Sequence, residues 1–316
     1  MRIVIPGGSG QVGTILARAL TAERHEVVVL SRREYAAPWR VVAWDGATTG
    51  SWAEEIDGSD VVINLAGRSV NCRYTAANRR EILESRVRST RAVGSAIAVA
   101  KRPPAVWLQA STATIYAHRL DANNDETSGV IGGDEPDAPD TWRFSIEVAK
   151  AWEAALDEAV VPATRKVALR SAMIMSPDRG GVFDTLCNLV RFGLGGLAGS
   201  GRQFMSWIHY EDFIDALTWV IAHDEIAGPV NVAAPEPLSN AEFMRDLRRA
   251  AGVAVGLPAT SWMLEIGAVF LRTETELILK SRRVVPARLV KSGFAFRYPS
   301  WPAAATELWA DRKSAH

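Results

Sequence analysis

The sequence predicts an α/β protein: a doubly wound parallel sheet with a smaller carboxy-terminal substrate domain. Three observations carry that reading. Short apolar runs alternate with helical patterns through the first 170 or so residues, as strand–helix–strand units require. Runs such as Val27-Val28-Val29-Leu30 are unbroken, which suits strands buried on both faces. A glycine-rich turn separates the first strand from the first helix.

Residues 2–6 read as the first strand. Over 11–22, Val12, Ile15, Leu16, Ala19 and Leu20 recur at helical spacing. Strands follow at 26–30, 40–44 and 60–65. A long helix over 78–100 is ended by Pro103-Pro104, which cannot continue it. Then come a strand over 105–111, a helix over 142–159 stopped before Pro162, and a strand over 165–170. The pattern changes after residue 172. Residues 176–181 are turn-rich, and 193–201 carry Gly193, Gly195, Gly196, Gly199 and Gly201, hence a loop. Residues 212–223 and 240–251 look helical and 230–233 form a short strand. The last stretch mixes a helix with a basic, proline-containing tail. The expected division is a dinucleotide domain over 1–172, to which 205–234 return, and a smaller domain over 173–316. The acidic, glycine-containing segment 117–141 reads either as a solvated excursion or as a lid over a site.

Composition excludes several function classes. The chain has 316 residues, 36 Lys+Arg against 36 Asp+Glu, and so no net charge to favour nucleic acid or an anionic membrane. With 48% hydrophobic and 23% charged residues it is ordinary for a globular protein. Cys72 and Cys187 cannot build a disulfide framework, and the five histidines are scattered, so no metal site is expected. The apolar stretch 262–271 is broken by Glu265 and is shorter than the roughly 18 residues of a membrane span. A reduced, cytoplasmic protein acting on a small molecule is expected. The composition also allows a homodimer.

Gly7, Gly10 and Gly13 have the spacing G-x-x-G-x-x-G between a predicted strand and a predicted helix. One glycine permits the tight turn, one lets the backbone approach a pyrophosphate, and one lets helix and strand pack closely. The helix start at Gln11, Val12 and Gly13 then offers free N–H groups and a positive dipole end to phosphates. This is a Rossmann-type turn. The second strand runs into Ser31-Arg32-Arg33. A carboxylate there would accept from a ribose 2′-hydroxyl, whereas guanidinium groups pair with a 2′-phosphate. NADP(H) is therefore expected over NAD(H). The fourth strand runs into Asn64-Leu65-Ala66-Gly67, small enough for a ligand to sit against Leu65, Ala66 and Gly67. The fifth ends in Ser111-Thr112-Ala113-Thr114-Ile115-Tyr116, whose hydroxyls can bond a substrate oxygen but also commonly form turns.

With these three segments the chain resembles the extended short-chain dehydrogenase/reductases of the NAD-dependent epimerase/dehydratase superfamily. Further segments narrow the resemblance: Ser85-Arg86-Val87 with Thr90, Trp152-Glu153, Leu169-Arg170, Gly199-Ser200-Gly201-Arg202-Gln203, Ser206-Trp207-Ile208-His209 with Asp212, Gly228-Pro229-Val230-Asn231, and the tail 283–298. They are similar to an atypical branch labelled "epimerase family", the SulA-like nucleotide-sugar epimerases with their own carboxy-terminal domain.

The resemblance implies a Ser/Thr–Tyr–Lys set, in which a tyrosine exchanges a proton with the substrate and a lysine lowers its pKa. Thr112 falls at the Ser/Thr place. With Glu153 aligned to the acid that follows the lysine by four, the lysine place is Ala149 and the tyrosine place is Ser145. Lys150 is one position off, about 100° around the helix, and no tyrosine lies between 142 and 153. Candidate substitutes are Tyr116 as a phenol near the crevice and His209, which could instead be a structural partner of Asp212. Arg86 is a candidate for a phosphate or an anionic substrate, or for a surface ion pair with Glu84. Gln203, with Arg202, is a candidate substrate contact between the two domains. Glu126 matches a frequent family Glu and carries no assigned role. Three functions follow in order: an NADP(H)-dependent oxidoreductase on a small carbonyl or hydroxyl compound, an NADP(H)-binding sensor without ordinary turnover, and a nucleotide-sugar epimerase.

Overall fold

A computed structural model describes residues 1–260, Met263 and 274–314; the apolar stretch 262–271 lies almost wholly outside them. Seven parallel strands form one sheet: β1 (Arg2–Pro6), β2 (Glu26–Ser31), β3 (Arg40–Ala43), β4 (Val61–Asn64), β5 (Val106–Thr112), β6 (Arg165–Ser171) and a late strand, Gly228–Val232. Their spatial order is the late strand, then β6, β5, β4, β1, β2 and β3. The order reverses beside β1, which opens a crevice at the strands' carboxyl ends.

Strict alternation along each strand builds two cores. Ile3, Ile5, Val27, Val29, Val61, Ile63, Leu108 and Val167 face α1 (Gln11–Ala22) and the helix Tyr210–Ala222. Val4, Val28, Leu30, Val62, Trp107 and Ala168 face α2 (Ala76–Val99) and the end of α3 (Asp140–Asp157). The long helix begins at Ala76 because the Thr75 side chain accepts from Asn78 N–H and caps it. The return of residues 210–232 adds both a helix and the edge strand to this sheet.

A third core belongs to the other half. It joins α4 (Val182–Arg191), the helices Asn240–Ala251 and Trp301–Ser314, and Trp207. Phe243 and Trp301 stack at 3.9 Å, and the Trp301 indole N–H donates to the Phe243 carbonyl.

The acidic segment 117–141 is neither a free excursion nor a lid. Asn124 is fully buried and exchanges backbone bonds with Arg283 and Val285. Glu126 accepts from the N–H of Asn231 at 2.9 Å and of Arg288 at 3.3 Å. Burial pushes this carboxyl's pKa up. Glu126 is thus a clasp between the sheet edge and the carboxy-terminal segment.

Candidate functional site

The glycine turn sorts its three glycines by what surrounds them. Gly7 has φ +75°, and a Cβ there would lie 2.5 Å from Ala66 Cα. It makes the turn against the end of β4. A Cβ on Gly13 would lie 2.4 Å from Gly8 Cα, so this glycine lets helix meet strand. Gly10 faces open space, its nearest neighbour being the Gly7 carbonyl at 3.9 Å. It caps α1 with no side chain of its own, no side-chain acceptor and no acid in the first turn. The N–H groups at Gln11, Val12 and Gly13 are therefore left to a ligand. The bare Gly10 surface and the uncapped helix end form a cradle that fits a pyrophosphate.

At the end of β2, Ser31 is buried, and Arg32 and Arg33 are exposed with no ion pair among the described residues. At the end of β4, Asn64 is buried; it donates to Gln109 at 2.9 Å and accepts from Ala66 N–H. That pins Leu65, Ala66 and Gly67 over the crevice. Gly67 is small for an unexpected reason: a Cβ would meet the Arg86 side chain at 3.2 Å.

Arg86 is not in the surface ion pair, because Glu84 pairs with Arg88. Its guanidinium donates to the carbonyls of Arg68 and Ile82 and lies over the Trp152 ring at 4.9 Å. No described carboxylate neutralises it, and burial lowers its pKa to about 10.

Thr112 closes β5 at partial exposure. Its oxygen accepts from Thr114 N–H at 3.2 Å, and the hydroxyl proton has no described acceptor. Ser111 differs. Its hydroxyl donates to Glu153 at 2.6 Å, and Glu153 takes two bonds from Arg170, at 2.9 and 2.7 Å.

Tyr116 belongs to that same buried network and is 1% exposed. Its hydroxyl accepts from Arg170 and donates to Asn231, both at 2.9 Å, and burial raises its pKa. The phenol expected to stand near the crevice instead has its hydroxyl bonded on both sides inside the core.

His209 and Gln203 are likewise structural. His209 is fully buried at the start of the helix 210–222, and its Nδ1 accepts from Glu211 N–H. The proton then sits on Nε2, which donates to Glu307 at 2.8 Å. Burial lowers the imidazole pKa to about 3. Its partner is Glu307; Asp212 instead accepts from the N–H groups of Arg297 and Tyr298. Gln203 is buried and donates to the carbonyls of Ala198 and Ile278.

On α3, Ala149 is fully buried among Ala113, Ile115, Tyr116 and Val284, so the lysine place holds an apolar contact. Lys150 lies on the outer face beside Gly133, Arg143 and Ile146. Ser145, at the tyrosine place, meets a residue the sequence reading passed over. Tyr74, in the loop before α2, brings its hydroxyl to 3.5 Å from the Ser145 hydroxyl. Among the described residues there is no group able to hold a metal ion, and no helix long and apolar enough to cross a membrane.

The chain is similar to known proteins along nearly its whole length. Residues 3–141 match the NAD dependent epimerase/dehydratase family, and residues 259–308 match a domain of unknown function, DUF1731. The bovine epimerase family protein SDR39U1 (Bos taurus) is 34% identical over 98% of this chain and 100% of its own. The crystal structure of human SDR39U1 with NADPH superposes with a TM-score of 0.85 at 31% identity, covering 98% of this chain and all of that one. A nucleoside-diphosphate sugar epimerase from Corynebacterium glutamicum superposes with a TM-score of 0.75 at 29% identity, over 99% of this chain and 61% of that one.

Proposed function

Because this chain belongs to the epimerase family of extended short-chain dehydrogenase/reductases, we propose that it is an NADP(H)-dependent oxidoreductase for a small carbonyl or hydroxyl compound. Gly10 and the start of α1 would hold the pyrophosphate, Arg32 and Arg33 the 2′-phosphate, and Leu65, Ala66 and Gly67 the nicotinamide half. Once bound, the dinucleotide supplies or accepts hydride at the substrate carbon. Thr112 points a hydroxyl proton at the substrate oxygen and polarises it. That unspent proton, at the end of β5, carries the proposal.

The buried, apolar place of Ala149 favours a second reading: an NADP(H) sensor that binds without turning over. Sugar-nucleotide epimerisation rests on the name of the C. glutamicum relative. The two unpaired cysteines suit a reducing, cytoplasmic setting.

Fluorescence titration with NADPH and NADH, followed by NADPH consumption on a carbonyl panel, separates the readings. Arg32→Ala should weaken NADPH by about 10–100-fold, the worth of a charge-assisted bond, and leave NADH nearly unchanged. Equal loss for both removes the 2′-phosphate role. Turnover abolished by Thr112→Ala supports the oxidoreductase; tight binding with no turnover supports the sensor.

A further inference from the structure

We propose that Tyr74 is the proton-transfer residue of this crevice, acting from a different chain segment than the helix on which the family resemblance places a tyrosine. The proposal rests on the oxidoreductase reading and deepens it.

Geometry carries it. The Tyr74 ring is 9% exposed and fixed on several sides. It stands edge-on to Phe144 at 5.1 Å, packs with Ile82 and Val148, and its backbone N–H donates to Glu274 at 2.6 Å. The ring thus lies along α3, and its phenol end meets that helix at Ser145. The Ser145 hydroxyl donates to Glu276 at 3.3 Å, which leaves the phenol O–H as the donor of the Tyr74–Ser145 pair. Glu276 is held in turn by Arg282, whose Nε donates to the Thr114 hydroxyl at 3.0 Å. Thr114 N–H donates to Thr112. Hydrogen bonds therefore link the Tyr74 phenol to the Thr114 side chain, and the Thr114 backbone N–H bonds Thr112 at the end of β5. By contrast, Tyr116 on β5's own extension is sealed in the core.

Two guanidinium groups stand where the missing lysine's charge would have acted, Arg282 and, more weakly, Arg86. The Arg86 guanidinium has no carboxylate partner among the described residues, and its field favours the Tyr74 phenolate. Arg282 acts in the same direction, while Glu276 opposes it. Cys72 faces Arg86, and Glu274 and Arg79 bond the Tyr74 backbone. Burial raises the phenol's pKa, so the neutral form, which can donate, prevails at neutral pH.

In carbonyl reduction the Tyr74 O–H bond breaks and its proton forms the new O–H bond on the substrate oxygen. This balances the hydride that the carbonyl carbon receives from the reduced dinucleotide. The phenolate then regains a proton from water. In oxidation the same proton moves the other way.

Two measurements test this. Tyrosine-ring ¹³C NMR identifies the Tyr74 resonance by its loss in Tyr74→Phe. In the cofactor-free protein it should titrate at measurably higher pH in Arg86→Met than in the wild type, with Arg86→Lys keeping the lower value. In the wild type the resonance should also shift on addition of NADP⁺. A resonance indifferent to both overturns the assignment. On any carbonyl compound the wild type reduces, Tyr74→Phe should lose about 10²–10⁴-fold in kcat with KM and NADPH affinity kept. Turnover within twofold of wild type overturns Tyr74 alone. A wild type that binds NADPH and reduces nothing overturns the oxidoreductase reading together with this one.

Discussion

The end of β2 and the Glu153–Arg170–Tyr116–Asn231 network are both rich in polar side chains, and they are opposites. Arg32 and Arg33 stand in solvent without ion pairs among the described residues, above a helix end without a cap. In the network, Arg170 and Glu153 are about nine-tenths buried and bonded twice to each other, and Tyr116 gives and takes one bond. Residue type does not separate binding groups from scaffold here. What separates them is whether the bonding capacity is spent.

Breaking that contrast should give its largest effect at Arg170. Arg170→Met strands Glu153 in the interior, so urea unfolding should show a loss of about 3–5 kcal/mol, while the surviving folded protein keeps its NADPH affinity. A loss below about 1 kcal/mol would make the network dispensable.

The glycine pair sharpens the contrast inside a single turn. Gly13→Ala drives a methyl into the Gly8 backbone and should cost about 1–3 kcal/mol. Gly10→Ala should cost within about 1 kcal/mol, the usual range of a cap exchange, yet lower NADPH affinity at least tenfold in the same titration. Reversed outcomes would put the cradle elsewhere.

A pH-dependent effect belongs to the His209–Glu307 pair. Burial, with Asp311 and Glu211 nearby, raises the Glu307 pKa from 4.5 to about 7. The folded state then holds this proton longer than the unfolded chain does. The pair's contribution is full below about pH 4.5 and fades as pH rises through 7. Thermal melts between pH 5 and 8 should show the wild type losing Tm relative to Glu307→Gln, which keeps an acceptor for the His209 N–H and cannot titrate. Parallel curves would count against the shifted carboxyl.

Much of the sheet was readable from period and punctuation alone. The helices 11–22 and 240–251 start and stop where apolar spacing and flanking glycines say they should. The glycine turn was legible because its chemistry is local: strand, turn and helix follow one another within residues 2–22. The crevice was not. Tyr74 and Ser145 are 71 positions apart, and His209 finds its acid 98 positions away in the last helix. Sequence spacing carries no trace of such pairings. His209, Gln203 and Tyr116 attracted notice as polar residues beside motifs, and burial reversed each of them. Tyr74 stands outside every motif in the sequence, four residues before the helix expected over 78–100, and its partner lies on another helix.

The clasp at Asn124 and Glu126 also constrains how the molecule is made. Its bonding partners lie at 231, 283, 285 and 288, so a chain emerging from a ribosome cannot close it until most of its length has left the exit tunnel. Until then the acidic segment dangles, its buried asparagine in water and the edge of the growing sheet uncovered. Such late, long-range closure favours slow maturation and leaves the nascent polypeptide to chaperones for longer than its local helices would suggest.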